Sequence, residues 1–421
     1  MEEKYLHFIW KNKRFPSNLL KTITGQEVQI IDVGIHNQHA GPDFFNGKIR
    51  IDDSILVGNI EMHVKSSDWN LHKHQFDPAY SNVILHVVYK YDELIFVEGI
   101  PLPTIELFEH IDWRHYNQFM KFYANQQQIP CQNQLNDCPS PVFWHQVERA
   151  IFQRLERKAS SVNSDSVAIA KTLFHFIAKG FGLRTNELPF EELANRIPFE
   201  RFIRISRSAK TALTFGLAGF LEQEHFDEYP KQVRKEWHFQ KARFNLTSGR
   251  ADSWKFKGCR PSGFPTIRLA QFANFAHEFD WSIDFWELKT EEIIQILIQK
   301  LTKEPDPYWF THYHFDTPSN FKHSATLSVP TAQTIIINSV VPFLWWLADQ
   351  VQEQLYREKA IEILESLPAE KNAKLDYWKS LNIVPKTAAD SQGLLELMDF
   401  FCKQKKCLHC EVGATLLKQK R

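Results

Sequence analysis

GNIEMHVKSSDWNLHKHQFDPAYSNVILHVVY, residues 58–89, is the stretch on which the fold turns. Its first half alternates. Asn59, Glu61, His63 and Lys65 fall on one side, and Ile60, Met62 and Val64 on the other. Residues i and i+2 of a strand share a face, so the pattern predicts a strand with an acid, an imidazole and an ammonium in a row. Such a face is either wet or a place where chemistry is done. The second half, Val83 to Tyr89, is a buried-type strand with His86 inside it.

Working outward, short apolar runs bounded by turn residues recur at Val28–Val33, Gly47–Ile51, Leu94–Val97 and Thr104–Leu107, and Tyr5–Trp10 suits a short helix. Near residue 125 the chain changes character. The segment NQQQIPCQNQLNDCPSP, rich in proline and amides, resembles a linker, and Ser140-Pro141 then suits the start of a helix. Helical periodicity follows over 165–181, 200–222, 230–243, 262–278, 291–302, 331–349, 351–366 and 390–402. The expected class is α+β: a small mixed sheet domain over 1–125, a linker over 126–139, and a larger, mostly helical domain over 140–421.

Composition narrows the function classes. The 421 residues carry 50 Lys+Arg against 50 Asp+Glu, so any case for a charged partner must be local. The longest apolar run, TIIINSVVPFLWWLA, is interrupted by Asn338, Ser339 and Pro342 and is short of the ~20 residues that span a bilayer. It predicts a buried helix and no membrane association. The N-terminus lacks a signal-peptide core, and six cysteines are few for this length. A cytoplasmic location with reduced or metal-bound thiols is expected.

Upstream of the alternating strand, HNQHAGPDFFNGKIRI places Asp43 just before another strand-like run. An acid at a strand start, then acid-x-base on the next strand, resembles the core of the PD-(D/E)XK nuclease superfamily. The resemblance implies that Asp43 and Glu61 hold Mg²⁺ or Mn²⁺, while His63 and Lys65 serve as base and phosphate contact. The sequence departs from that pattern by placing His63 where the superfamily has lysine.

His36, His39, His72, His74 and His86 surround these positions, so six of the 18 histidines fall between residues 36 and 86. Imidazoles beside Asp43 and Glu61 also suit zinc or manganese. Over nearly its whole length the chain resembles a bacterial family, frequent in Bacteroidetes, described only as a domain of unknown function (DUF2851). The strings that carry the likeness are HNQHAGPDFFNGKI, GNIEMHVKSSDW, HKHQFDPAYSNVILHVV and KKCLHCEVG.

Two further features point to ligands. FCKQKKCLHCEVG gathers Cys402, Cys407 and Cys410, a thiolate set for structural zinc or an iron–sulfur cluster whose fourth ligand would be His409, Cys259, Cys131 or Cys138. Between Lys231 and Arg268 there are ten Lys/Arg and two acids, interleaved with Trp237, Phe239, Phe244, Trp254, Phe256 and Phe264. Lys235, Lys241, Arg243, Lys257, Arg260 and Arg268 are the expected contacts to DNA or RNA. Three readings follow: a metal-dependent nuclease, a non-catalytic nucleic-acid or protein-interaction protein on a decayed nuclease-like domain, and a histidine-rich metallohydrolase of small substrates.

Overall fold

The computed structural model describes residues 1–15, 20–37, 40–160 and 168–418. The chain divides into two compact units: Met1–Phe143 with Phe400–Arg421, and Trp144–Asp399. The fold is α+β, as the sequence predicts. The C-terminal segment, however, belongs to the first unit. The stretch 126–139 is likewise part of that unit rather than a free tether, since it buries Ile129, Cys131, Leu135 and Cys138.

The first unit is built on a mixed sheet in which β1 (Val28–Asp32), β3 (Phe44–Ile51), β4 (Ser54–Lys65), β5 (Val83–Lys90) and β8 (Thr104–Glu106) lie side by side in that order. β2 (Ile35–His36) pairs with β3, while β6 (Phe96–Val97) and β7 (Ile100–Pro101) form a separate two-stranded ribbon. The β1–β3 and β3–β4 pairs are antiparallel; β4–β5 and β5–β8 are parallel. This explains the two sequence textures. The central strands β4 and β5 are covered on both faces, so even the polar face of β4 is buried at Glu61 and His63.

Helix α1 (Glu3–Lys11) lies against β4. It buries Tyr5, Leu6, Phe8, Ile9 and Trp10 and leaves Glu3 and His7, one turn apart, on a shared stripe. The β4–β5 crossover holds one helical turn, α2 (Asp68–Leu71), and two 3₁₀ turns, His74–Phe76 and Pro78–Tyr80. Helix α3 (Trp113–Ala124) follows, and the C-terminal helix Glu411–Lys418 packs against it, with Gln118 donating to the Leu416 carbonyl at 2.9 Å.

The second unit is helical around one aromatic-rich core. The longest helix among its described residues, Val329–Val351, contains the apolar run and Pro342; it is long and apolar enough to cross a membrane, but 78% of that window is buried inside the protein. Gly180 lets the helix Ile169–Phe181 approach closely, because a Cβ there would sit 1.9 Å from Ser339 Oγ. Sequence periodicity missed the short helices Glu187–Arg196 and Ala373–Ser380.

Candidate metal centre

The start of β3 and the middle of β4 are locked together. The Asp43 backbone N–H donates to Glu61 Oε2 at 3.0 Å, and the Met62 backbone N–H donates to Asp43 Oδ2 at 2.9 Å. The two carboxylates that the sequence singled out therefore share one place. Glu61 is 4% exposed. Burial first, then the charge of Asp43, pushes its carboxyl up to about 9.

The other oxygen of Glu61 faces imidazoles. Glu61 Oε1 lies 3.6 Å from His63 Nε2 and 3.4 Å from His74 Nε2, and His63 Nε2 lies 3.1 Å from His72 Nδ1. The potential ligand atoms of His63, His72 and His74 all fall within 4.8 Å of one another. A metal held at ~2.05 Å in a tetrahedron sets its ligand atoms about 3.3 Å apart, so the three imidazoles suit one ion, with the Glu61 carboxylate beside two of them. Lys73 is left-handed at φ 63°, a reversal between His72 and His74 that brings both rings to His63.

The surroundings fix these rings. Behind His63, its Nδ1 meets His86 Nε2 at 2.9 Å, in the position of a partner that sets a ligand's tautomer. Tyr80 stacks on His74 with centroids 3.8 Å apart, and Trp69 packs edge-on against His74 and His86. These two aromatics are thus walls of the site. Burial foremost, then the neighbouring imidazoles, holds His63 down to about 2 and His86 down to about 3. Both stay neutral, the form that ligates a metal.

On the Asp43 side stand groups the sequence reading did not find. His7 Nε2 is 3.2 Å from Asp43 Oδ2 and 3.9 Å from Glu3 Oε1. The His7–Asp43 approach is close but lacks aligned hydrogen-bond geometry. The only hint in sequence is the four-residue spacing of Glu3 and His7 on an amphipathic helix. His36 packs against His7 and Phe44, and His409 stacks on it at 5.7 Å and 10°. Burial, then His7 and His409, lowers His36 to about 4. Burial and then the charges of Lys11, Lys406 and Lys4 hold His409 low as well.

The remaining expected residues sit elsewhere. His63 was assigned the role of base, yet both of its ring nitrogens are engaged and it is 1% exposed. Lys65 is exposed at the end of β4, where the charge it faces is Asp92. His39 lies outside the described residues. In the helical unit Lys235, Arg243, Lys257 and Arg260 are exposed. Lys241 donates to Ser248 at 2.7 Å and lies 3.6 Å from Glu222, while Arg268 is half-buried and donates to Gln271 at 3.0 Å. Trp237 and Trp254 are core residues, so of the interleaved aromatics only Phe239 is largely exposed. The cavity of about 490 Å³ in this unit, lined by Arg207, Tyr229, Asp306 and Trp309 among others, touches none of the six basic residues.

Comparison with known proteins gives one positive result: the family model described as "Protein of unknown function (DUF2851)" matches residues 3–373. That span holds the whole histidine–carboxylate cluster and ends before Cys402. No curated protein and no solved structure matches the chain.

Proposed function

This chain belongs to the DUF2851 family, and we propose that its sheet unit is a divalent-metal-dependent hydrolase that cleaves phosphodiester bonds in nucleic acid. The observation that carries the reading is the triad of His63, His72 and His74, whose ligand atoms close within 4.8 Å, with Glu61 Oε1 3.6 Å from His63 and 3.4 Å from His74, beside Asp43. Three imidazoles favour zinc or manganese over magnesium, which prefers oxygen ligands. A bound cation supplies the Lewis acidity that phosphodiester cleavage requires.

The protein's own groups divide the remaining work. His63 is a ligand, oriented by His86. Asp43, whose side chain is 20% exposed, accepts the proton of the attacking water and becomes neutral, with His7 Nε2 3.2 Å from it. The water oxygen joins phosphorus as the P–O bond to the leaving alkoxide breaks. The site opens at exposed His72 and half-exposed His74 instead of closing over a small molecule. Lys4, Lys11 and Lys406 act on His409, which stacks on His36 next to His7, and such a group of cations suits a phosphate backbone. The likeness of Asp43 and Glu61-x-His63 to the PD-(D/E)XK pattern supports the same reaction class.

The test is incubation of the purified chain with single- and double-stranded DNA and RNA in zinc, manganese or magnesium. Cleavage with zinc or manganese that is lost in Asp43→Ala and Glu61→Ala is expected. Cleavage unchanged in both variants, or absent with every metal, would reject the assignment.

A further inference from the structure

Five of the six cysteines are buried in the first unit: Cys131, Cys138, Cys402, Cys407 and Cys410. None forms a disulfide. Cys131 comes from the segment after α3, next to the 3₁₀ turn Gln132–Asp137. Cys402 closes a π-helical turn, Leu397–Cys402, while Cys407 opens the 3₁₀ turn Cys407–His409 and Cys410 follows it, before the C-terminal helix.

Four of the five form a closed set. Every one of the six pairs among Cys131, Cys402, Cys407 and Cys410 lies within electrostatic reach. Cys138 reaches only Cys131 and Cys410, and its thiol instead donates to the Pro139 carbonyl at 3.7 Å. At the start of the C-terminal helix the backbone N–H groups of Val412 and Gly413 lie close to the Cys410 sulfur. Gly413 permits this tight turn, since a Cβ there would lie 2.3 Å from the Cys407 carbonyl. The four thiols thus share one buried place and form no disulfide, an arrangement that suits a bound metal centre.

The spacing separates the candidate centres. A single zinc with ~2.3 Å bonds draws its four sulfurs to about 3.8 Å from one another. Among the described residues the one group of three ligands that closes within 4.8 Å is the histidine triad, so the thiols are set wider than a lone zinc requires. A cluster of several irons bridged by sulfide spreads its cysteine ligands farther apart. We propose that Cys131, Cys402, Cys407 and Cys410 ligate an iron–sulfur cluster that staples the C-terminal segment onto the sheet unit. The inference is independent of the hydrolase reading. It gives His409 a reason to stand on His36, because the cluster fixes the turn that carries it.

The full chain should be purified without oxygen, reconstituted with ferrous iron and sulfide, desalted, and assayed for metal and acid-labile sulfide. Equal iron and sulfide, about two to four of each per chain, with visible charge-transfer absorption, is the expected result. Cys138→Ser and Cys259→Ser should keep both signals, whereas Cys131→Ser and Cys402→Ser should lose most of them. One zinc per chain without iron, or no metal at all, would overturn the proposal. So would full retention in Cys131→Ser. Because the primary readout is the unmutated chain, a variant that fails to fold leaves the test intact.

Discussion

The histidine–carboxylate site and the cysteine set lie in the same unit and are assembled in opposite ways. Glu61, His63, His72 and His74 come from one strand and the turn that follows it, within 14 consecutive residues. The thiols come from two distant stretches of the chain, one holding Cys131 and the other Cys402, Cys407 and Cys410. A local site is shaped by strand period and one left-handed residue. A distributed site exists only once the fold has formed, so its ligand binding is coupled to folding. The difference predicts that damage to the first changes ligand affinity and activity with the fold intact, whereas damage to the second loosens the molecule.

The largest effect is expected where that contrast is sharpest. His63→Ala and Glu61→Ala should abolish zinc or manganese binding in calorimetric titration and leave the circular dichroism spectrum unchanged. Replacing His86, which backs the ligand His63 and is itself packed by Trp69, should weaken the metal by ~10–100-fold, as loss of an orienting partner does. If His86→Phe binds as tightly as the unmutated protein, the assignment of His63 as a ligand fails.

Next in size is the cysteine set. Cys131→Ser should lower the melting temperature and increase proteolysis of the segment beyond Phe400, because a staple between distant positions is removed. Unchanged protease resistance would place these residues with the local class after all.

The pH dependence sharpens the comparison. The folded, metal-free protein keeps on Glu61 a proton that the unfolded chain releases near pH 4.5 and the folded one near pH 9. That contribution is full below pH 4.5 and is lost as pH rises towards 9. His63 and His86 act in the opposite sense. Their pKa values are depressed, so their contribution is full above about pH 6.5 and is lost as pH falls towards 3 and 2. Glu61→Gln should flatten the alkaline decline in melting temperature and eliminate stabilisation by zinc. A decline of equal steepness in the variant would show that Glu61 is not the group responsible.

The smallest effects belong to the lysines that act on His409. Lys4→Ala, Lys11→Ala and Lys406→Ala should each reduce the salt slope of nucleic-acid binding by about one, with cleavage chemistry preserved. Lys235→Ala and Arg243→Ala test whether the exposed basic residues of the helical unit contribute to the same binding.

What could be read in sequence follows this division. Period-two alternation revealed β4, and an acid before the preceding strand picked out Asp43, because both signals are local. Glu3 and His7 were missed since their relation to Asp43 is made by packing α1 on β4. The prolines and amides of 126–139 resembled a linker, and only tertiary packing shows Cys131 buried there beside the C-terminal thiols. The basic segment misled in part. Its charge count was correct, but Trp237 and Trp254 serve the core, as aromatics do more often than they stack on bases.

Metal stoichiometry decides whether the β4 site holds an ion of its own. The chain, stripped by chelator and titrated with zinc while Cys131, Cys402, Cys407 and Cys410 are occupied by reconstituted cluster, should take up one further ion. His72→Ala and His74→Ala should lose that ion. Uptake of no additional ion, or identical uptake by both histidine variants, would contradict the account.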